Sequence, residues 1–292
     1  MVINGSLCNL NLIRLDKTNS TVYHNRGVFY WEFVMKKIVL IGGGTVSYVR
    51  NHLALCAPAY GSTVRFLEQD FEDALRLSTD PILSLAEDYI PNDRNDYRFY
   101  VEKYLTKMAG GGRYNTYGID MPLETNDDVS KLVDFLIADP EVKVIIFNPA
   151  LVDFDGQVGI QSSGKYTQRL KTIEGPQTMG LIPTDKIIGK IRKERKDIFV
   201  VGFKTTTNAS EDEQYKAGLE LLKKNSLNLV LANDSITRNN MIIVPEEARY
   251  SNTTVRRDAL EELVDITLSR MTNTFTRSTV VDGPLVDWNS DE

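Results

Sequence analysis

The sequence predicts an α/β fold of the Rossmann-like kind, a mostly parallel sheet with helices on both faces in a single main domain. Three observations lead there. Short apolar runs over 37–41, 142–147, 198–203 and 227–232 read as strands buried on both sides. Segments with apolar residues at helical spacing separate them, and strands alternating with helices at this spacing favour a parallel sheet. The first run, Lys37-Ile-Val-Leu-Ile, empties into Gly42-Gly43-Gly44-Thr45. Glycine lets backbone N–H groups approach an anion, and a helix opening after the turn would add its positive end. The spacing is neither G-x-G-x-x-G nor a phosphate-binding P-loop, so a tight turn without a ligand stays open.

The elements follow in order. Residues 1–34 are polar and unpatterned up to Val28-Phe-Tyr-Trp-Glu-Phe-Val34, and read either as an extension ahead of a start at Met35 or as a β-hairpin arm. The main domain is expected over 35–272. A break at Ala57-Pro58 and Gly61 places a helix start near Ser62, burying Val64, Phe66, Leu67 and Leu75. Tyr97, Phe99 and Val101 alternate as a strand ending near Leu105, and Gly110-Gly-Gly112 reads as a flexible loop. Thr125-Asn-Asp-Asp128 is a helix N-cap cluster ahead of Val129, Leu132, Val133, Leu136 and Ile137. Helices are expected over 184–195, 210–224 and 256–271, with strands over 198–203, 227–232 and 241–244; residues 273–292 read as a tail.

Composition narrows the function. The 292 residues carry a net charge of −6, which argues against chain-wide attraction to nucleic acid or to an anionic membrane. Cys8 and Cys56, with His24 and His52, give neither a disulfide framework nor metal-ligand spacing, so no protein-held metal is expected. No run approaches the ~18 apolar residues of a membrane helix, and the first 34 residues lack the order of a secretory signal. A cytoplasmic location is expected. Ligands of such sheets lie beyond the carboxyl ends of the strands, a rule that selects Gly42 to Thr45, Asn148 to Phe154, Phe203 to Thr207, and Asn233-Asp234.

Taken in order, these strand ends resemble the phosphopantothenate–cysteine ligase family, the synthetase half of the bifunctional coenzyme A flavoprotein. The resemblance rests on Gly43-Gly-Thr45 with Val49-Arg50, Asn148-Pro-Ala-Leu-Val-Asp153-Phe154, Arg169-Leu-Lys-Thr172, Gly202-Phe-Lys-Thr-Thr-Thr207 and Ala232-Asn-Asp234, and spans about residues 37–245. It implies that CTP or ATP, with Mg2+ carried by the triphosphate, activates the carboxylate of phosphopantothenate as an acyl-nucleotidylate that the cysteine amine then attacks. By the same resemblance Arg169 and Lys171 would be catalytic, lying along the acyl phosphate. Gly42, Gly43, Gly44, Thr45, Asn148, Pro149, Asp153, Phe203 and Lys224 would hold the nucleotide. Arg50, Asn51 and Asn233 would meet the acid substrate, and a homodimer is implied.

Each residue also has a plainer reading. Asp153 can cap a turn, Phe203 can be core, and Lys223 and Lys224 suit a helix C-terminus by the macrodipole alone. Four departures from the family pattern are visible: a shortened Gly-Gly-Thr to Val-Arg spacing, Ala54 in place of an asparagine, Arg169 in place of a lysine, and Thr206 in place of a glutamate. The rival expectation is a non-catalytic nucleotide-binding or regulatory protein on the same scaffold.

Overall fold

The computed structural model describes residues 36–79, 99–116, 118–247 and 249–278. The expectations for Tyr97, for residues 1–34 and for 279–292 lie outside the described residues. A seven-stranded sheet carries the fold. Its strands are β1 (Lys36–Gly44), β4 (Phe99–Leu105), β7 (Val142–Ala150), β10 (Phe199–Thr206), β11 (Leu229–Asp234), β12 (Asn240–Ile243) and β13 (Arg249–Thr253). The order across the sheet is β13-β12-β11-β10-β7-β1-β4. Strands β4, β1, β7, β10 and β11 are mutually parallel, while β12 runs antiparallel to β11 and β13 antiparallel to β12. The predicted α/β class is therefore what the chain adopts.

Among the described residues five α-helices cover the sheet: α1 (Ser62–Thr79), α2 (Asn126–Ala138), α3 (Ile188–Glu194), α4 (Glu211–Asn225) and α5 (Arg256–Ser278). Alternation along β1 divides the core. Ile38 and Leu40 pack with Val64, Leu67 and Phe71 of α1 and Leu260, Leu263 and Val264 of α5. Val39 and Ile41 face the other way, toward Leu132 and Leu136 of α2, Ile191 of α3 and Leu222 of α4. Each such side chain withdrawn from water contributes about 1.5–3 kcal/mol, which is why register is held tightly wherever both faces are covered.

Two helix starts form as their sequences dictate. Thr125 and Ser210 each make a capping box, the hydroxyl accepting from the backbone of Asp128 and Glu213 while those carboxylates take the cap N–H in return. Elsewhere the structure corrects the sequence. Phe66 is exposed, because α1 buries Val64, Leu67 and Phe71 at spacings of three and four, and residue 66 falls out of that phase. Helix α3 starts at Ile188 rather than near Thr184, whose N–H and hydroxyl are bound to Asp153 O and Val152 O. Helix α5 continues through Ser278, beyond the expected end at Met271.

The Gly110–Gly112 segment is not a loose loop. Gly110, Gly111 and Gly112 donate to Lys107 O, Thr106 O and Leu105 O, folding the chain back on the end of β4. Three hairpins were invisible in the sequence pattern: β2 (Val46–Arg50) with β3 (Leu53–Cys56), β5 (Arg113–Thr116) with β6 (Ile119–Pro122), and β8 (Phe154–Val158) with β9 (Met179–Pro183). Each follows the carboxyl end of a parallel strand, so all three gather at one edge of the sheet.

Candidate functional site

Chain order reverses between β1 and β7, since β1 continues to β4 on one side and the chain returns to β7 on the other. This switch point is where open α/β sheets take their ligands. Gly42, Gly43 and Gly44 sit there in register with Asn148, Pro149 and Ala150. Two groups separated by more than a hundred residues thus become neighbours.

Face alternation then sorts them. Gly42, Asn148, Phe203 and Asn233 all lie on the α1/α5 face of the carboxyl margin, each in phase with buried residues of that face (Leu40, Ile146, Val201 and Leu231). Thr205 pairs with Asn233, and Asn233 with Asn240, extending the row across β10, β11 and β12. Phe203 is partly buried, and the Arg256 guanidinium lies 5.9 Å from its ring centroid.

The glycines turn out to make room for protein. They belong to β1 rather than to a strand-to-helix turn, and the β2–β3 hairpin intervenes before α1 opens. Gly43 has φ +100°, and a Cβ there would come within 2.7 Å of Ala109 Cβ. A Cβ on Gly44 would meet Met108 Sδ at 2.6 Å and Ala59 N at 2.7 Å. The Gly44 and Thr45 N–H groups are engaged with Ala59 O (2.8 Å) and Ala150 O (3.0 Å), so these two are not free donors for a phosphate. Thr45 is fully buried; its hydroxyl bonds Asn126 Oδ1 at 2.6 Å and accepts from Val152 N at 3.0 Å, locking α2 to the end of β7.

Arg50 is also redirected. Its side chain is buried, with Nη1 on Val49 O (2.7 Å) and Nη2 on Val158 O, so it ties the β2–β3 hairpin to β8 rather than reaching a substrate. Lys224 stands at the wrong edge. Helix α4 leaves the carboxyl edge at Ser210 and runs back, and the residues after it bond the start of β10 through Asn228 N and Val200 O at 2.9 Å. Asp153, exposed after β7, pairs with Lys186. Arg169 and Lys171 lie exposed on the 159–178 excursion between β8 and β9, with no side-chain partner among the described residues. That excursion is tied to the first hairpin by Asn51 N to Thr167 O (3.0 Å) and Gly164 N to Val49 O (3.4 Å).

Sequence reading missed the acid at this edge. Glu124, buried just before α2, accepts from Tyr48 Oη (2.6 Å), Lys107 Nζ (2.8 Å) and Lys165 Nζ. Burial alone would raise its pKa, but the hydrogen bonds from Lys107, Lys165 and Tyr48 outweigh that and hold it at about 2. Lys165 therefore pins the excursion that carries Arg169 and Lys171. An acid one residue before an N-cap was visible in the sequence, yet its partners 17, 41 and 76 positions away were not.

Asp234 is equally occupied. Its carboxylate accepts from Asn208 N, Ala209 N, Ile236 N, Thr237 N and the Thr206 hydroxyl, joining the loop after β10 to the turn after β11. Burial opposes the charge, yet these donors hold the carboxyl well below the usual range. Thr206 thus serves as a donor to Asp234.

Solved structures with this architecture include the DNA/pantothenate metabolism flavoprotein of Streptococcus pneumoniae, 17% identical, with a TM-score of 0.56 over 82% of this chain and 99% of that one. A Cab2 mutant in complex with phosphopantothenate-cysteine, 13% identical, gives 0.54 over 84% and 89%. The chain shares the fold of these two proteins. In sequence the likeness is low. The chain is 26% identical over 111 residues to the coenzyme A biosynthesis bifunctional protein CoaBC of Thermococcus kodakarensis, a match over 38% of this chain and about a quarter (26%) of that protein. No family model matches. Among the described residues no helix is long and apolar enough to cross a membrane.

Proposed function

We propose that the protein is a nucleotide-dependent acid–amine ligase of coenzyme A biosynthesis, joining phosphopantothenate to cysteine through an acyl-nucleotidylate. The observation that carries this reading is the convergence of Asn148, Phe203 and Asn233 on one face of the switch-point margin. The tethered, exposed Arg169 and Lys171 supply cations on the excursion that rises from the same edge.

A carboxylate is a poor electrophile, and converting it to a mixed anhydride with a nucleotide supplies a good leaving group. In the first step a carboxylate oxygen attacks the α-phosphorus of the triphosphate and pyrophosphate leaves. In the second, the cysteine amine attacks the acyl carbon, the nucleoside monophosphate leaves and the amine proton passes to solvent. Both transition states build negative charge on phosphate oxygens, which fixed cations stabilise. Arg169 and Lys171 are assigned to that work, Arg169 bringing a planar fork suited to phosphate. The partly buried Phe203 and the half-buried Asn148 would flank the nucleotide, and Asn51 and Asn233 would meet the acid. Mg2+ would be held by the triphosphate; among the described residues no group of three or more His, Cys, Asp or Glu side chains forms a cage for it.

A second reading, nucleotide binding without ligation, is favoured by the burial of Arg50 and by Ala54, an exposed methyl where the family has an amide. One experiment separates the two. Purified protein is mixed with phosphopantothenate, cysteine, Mg2+ and either CTP or ATP, and pyrophosphate release is followed. Release that requires both the acid and a triphosphate supports the ligase and identifies the base; triphosphate binding without release in any combination supports the binder.

A further inference from the structure

Arg256, the first residue of α5, covers the polar end of the row formed by Phe203, Thr205, Asn233 and Asn240. Its Nη1 donates to Asn240 Oδ1 at 2.9 Å, and its guanidinium stands over the Phe203 ring. Among the described residues no carboxylate pairs with it. Its neighbour Arg257 behaves oppositely, pairing with both Asp70 and Glu261. The acid at the end of β11, Asp234, already accepts five hydrogen bonds.

An amide oxygen and a ring face satisfy only part of the hydrogen-bonding capacity of a half-buried guanidinium. Burial draws the Arg256 pKa down to about 10, so the group still keeps its charge at neutral pH. The fold thus holds a half-buried cation whose one side-chain hydrogen bond among the described residues goes to Asn240, leaving its other N–H groups open to a ligand at the margin where such sheets take phosphorylated ligands.

We propose that Arg256 grips a phosphate group of the ligand that lies along the Phe203–Thr205–Asn233–Asn240 row. The identity of that ligand rests on the ligase reading; the phosphate chemistry does not. Two sources supply it, the polyphosphate of the nucleotide and the phosphomonoester of the acid substrate.

The test uses the full chain in phosphate-free buffer. Pyrophosphate, CTP, ATP and phosphopantothenate are titrated separately by calorimetry into wild type, Arg256→Gln and Arg256→Lys, and the unliganded thermal midpoints are compared. Arg256→Gln is expected to weaken at least one probe tenfold or more, with Arg256→Lys intermediate. Its unliganded midpoint should stay level, since the half-buried Arg256 makes one hydrogen bond and no ion pair among the described residues. Weakening confined to pyrophosphate and the nucleotides assigns the polyphosphate, and weakening confined to phosphopantothenate assigns the monoester; either supports the proposal. Affinities within twofold of wild type for all four probes overturn it, as does a wild type that binds none of them. Should Arg256→Gln fail to fold, Arg256→Lys decides alone, because unchanged affinity with a single-point cation rules out a guanidinium grip. Arg256-dependent binding in a protein that never releases pyrophosphate would remove the ligase and leave this site standing, whereas turnover with unchanged affinities would do the reverse.

Discussion

Replacing Glu124 by glutamine leaves the shape of the side chain but removes the charge on which Lys107 and Lys165 converge. A carboxyl moved from its ordinary 4.5 to about 2 on folding contributes about 3 kcal/mol at neutral pH. The sign follows from the depressed value. That contribution is complete above about pH 5 and is lost as pH falls through the folded pKa, with about 1.5 kcal/mol remaining at pH 3. The Glu124 side chain is only 11% exposed, so solvent screens it little, although both lysines reach water. Urea unfolding of wild type and Glu124→Gln at pH 7 should therefore differ by about 3 kcal/mol, equivalent to a midpoint shift on the order of 5–10 °C in a chain of this size. At pH 3 the difference should halve. A penalty below about 1 kcal/mol at pH 7, the range of exposed pairs, or one that does not shrink in acid, would refute the account of a buried acid holding two cations.

Three further outcomes follow from the same geometry. Gly43→Ala should cost about 2–4 kcal/mol in chemical denaturation, since the side chain must enter a +100° φ and crowd Thr106 and Ala109; a loss under about 0.5 kcal/mol would show that the strand end yields easily. Lys171→Ala and Arg169→Ala should each cut pyrophosphate release by at least about a hundredfold, as loss of an oxyanion donor does, with thermal midpoints unchanged because both side chains are exposed. Wild-type rates in both would remove the excursion from the mechanism. We also propose a homodimer with a shared site, for which co-expressed Lys171→Ala and Asn233→Ala chains should regain part of the activity that each variant lacks alone. Sedimentation at monomer mass, or a mixture as inactive as its parts, would sink that arrangement.

What the sequence determined by itself is local. Alternation along β1 and the apolar runs of β7, β10 and β11 identify buried strands, because both faces of each are covered and each residue answers to its own side. Thr125 and Ser210 announce their helices because a cap and its partner lie three residues apart. The strand ends that converge at the margin were readable too, since a parallel sheet sends all its carboxyl ends one way.

The rest depended on contacts between distant segments. Whether the space beside Gly43 holds a ligand or a neighbouring loop is decided by Thr106 and Ala109, more than sixty positions on. Arg50 looked like a substrate ligand until β8 closed over it. Lys224 lost its place because a helix that leaves the carboxyl edge must end near the other one. Glu124 with Lys107 and Lys165, and Arg256 with Phe203 and Asn240, have no sequence period at all. Charge pairing and desolvation depend on what the folded chain brings within a few ångströms, and only the tertiary structure sets those distances.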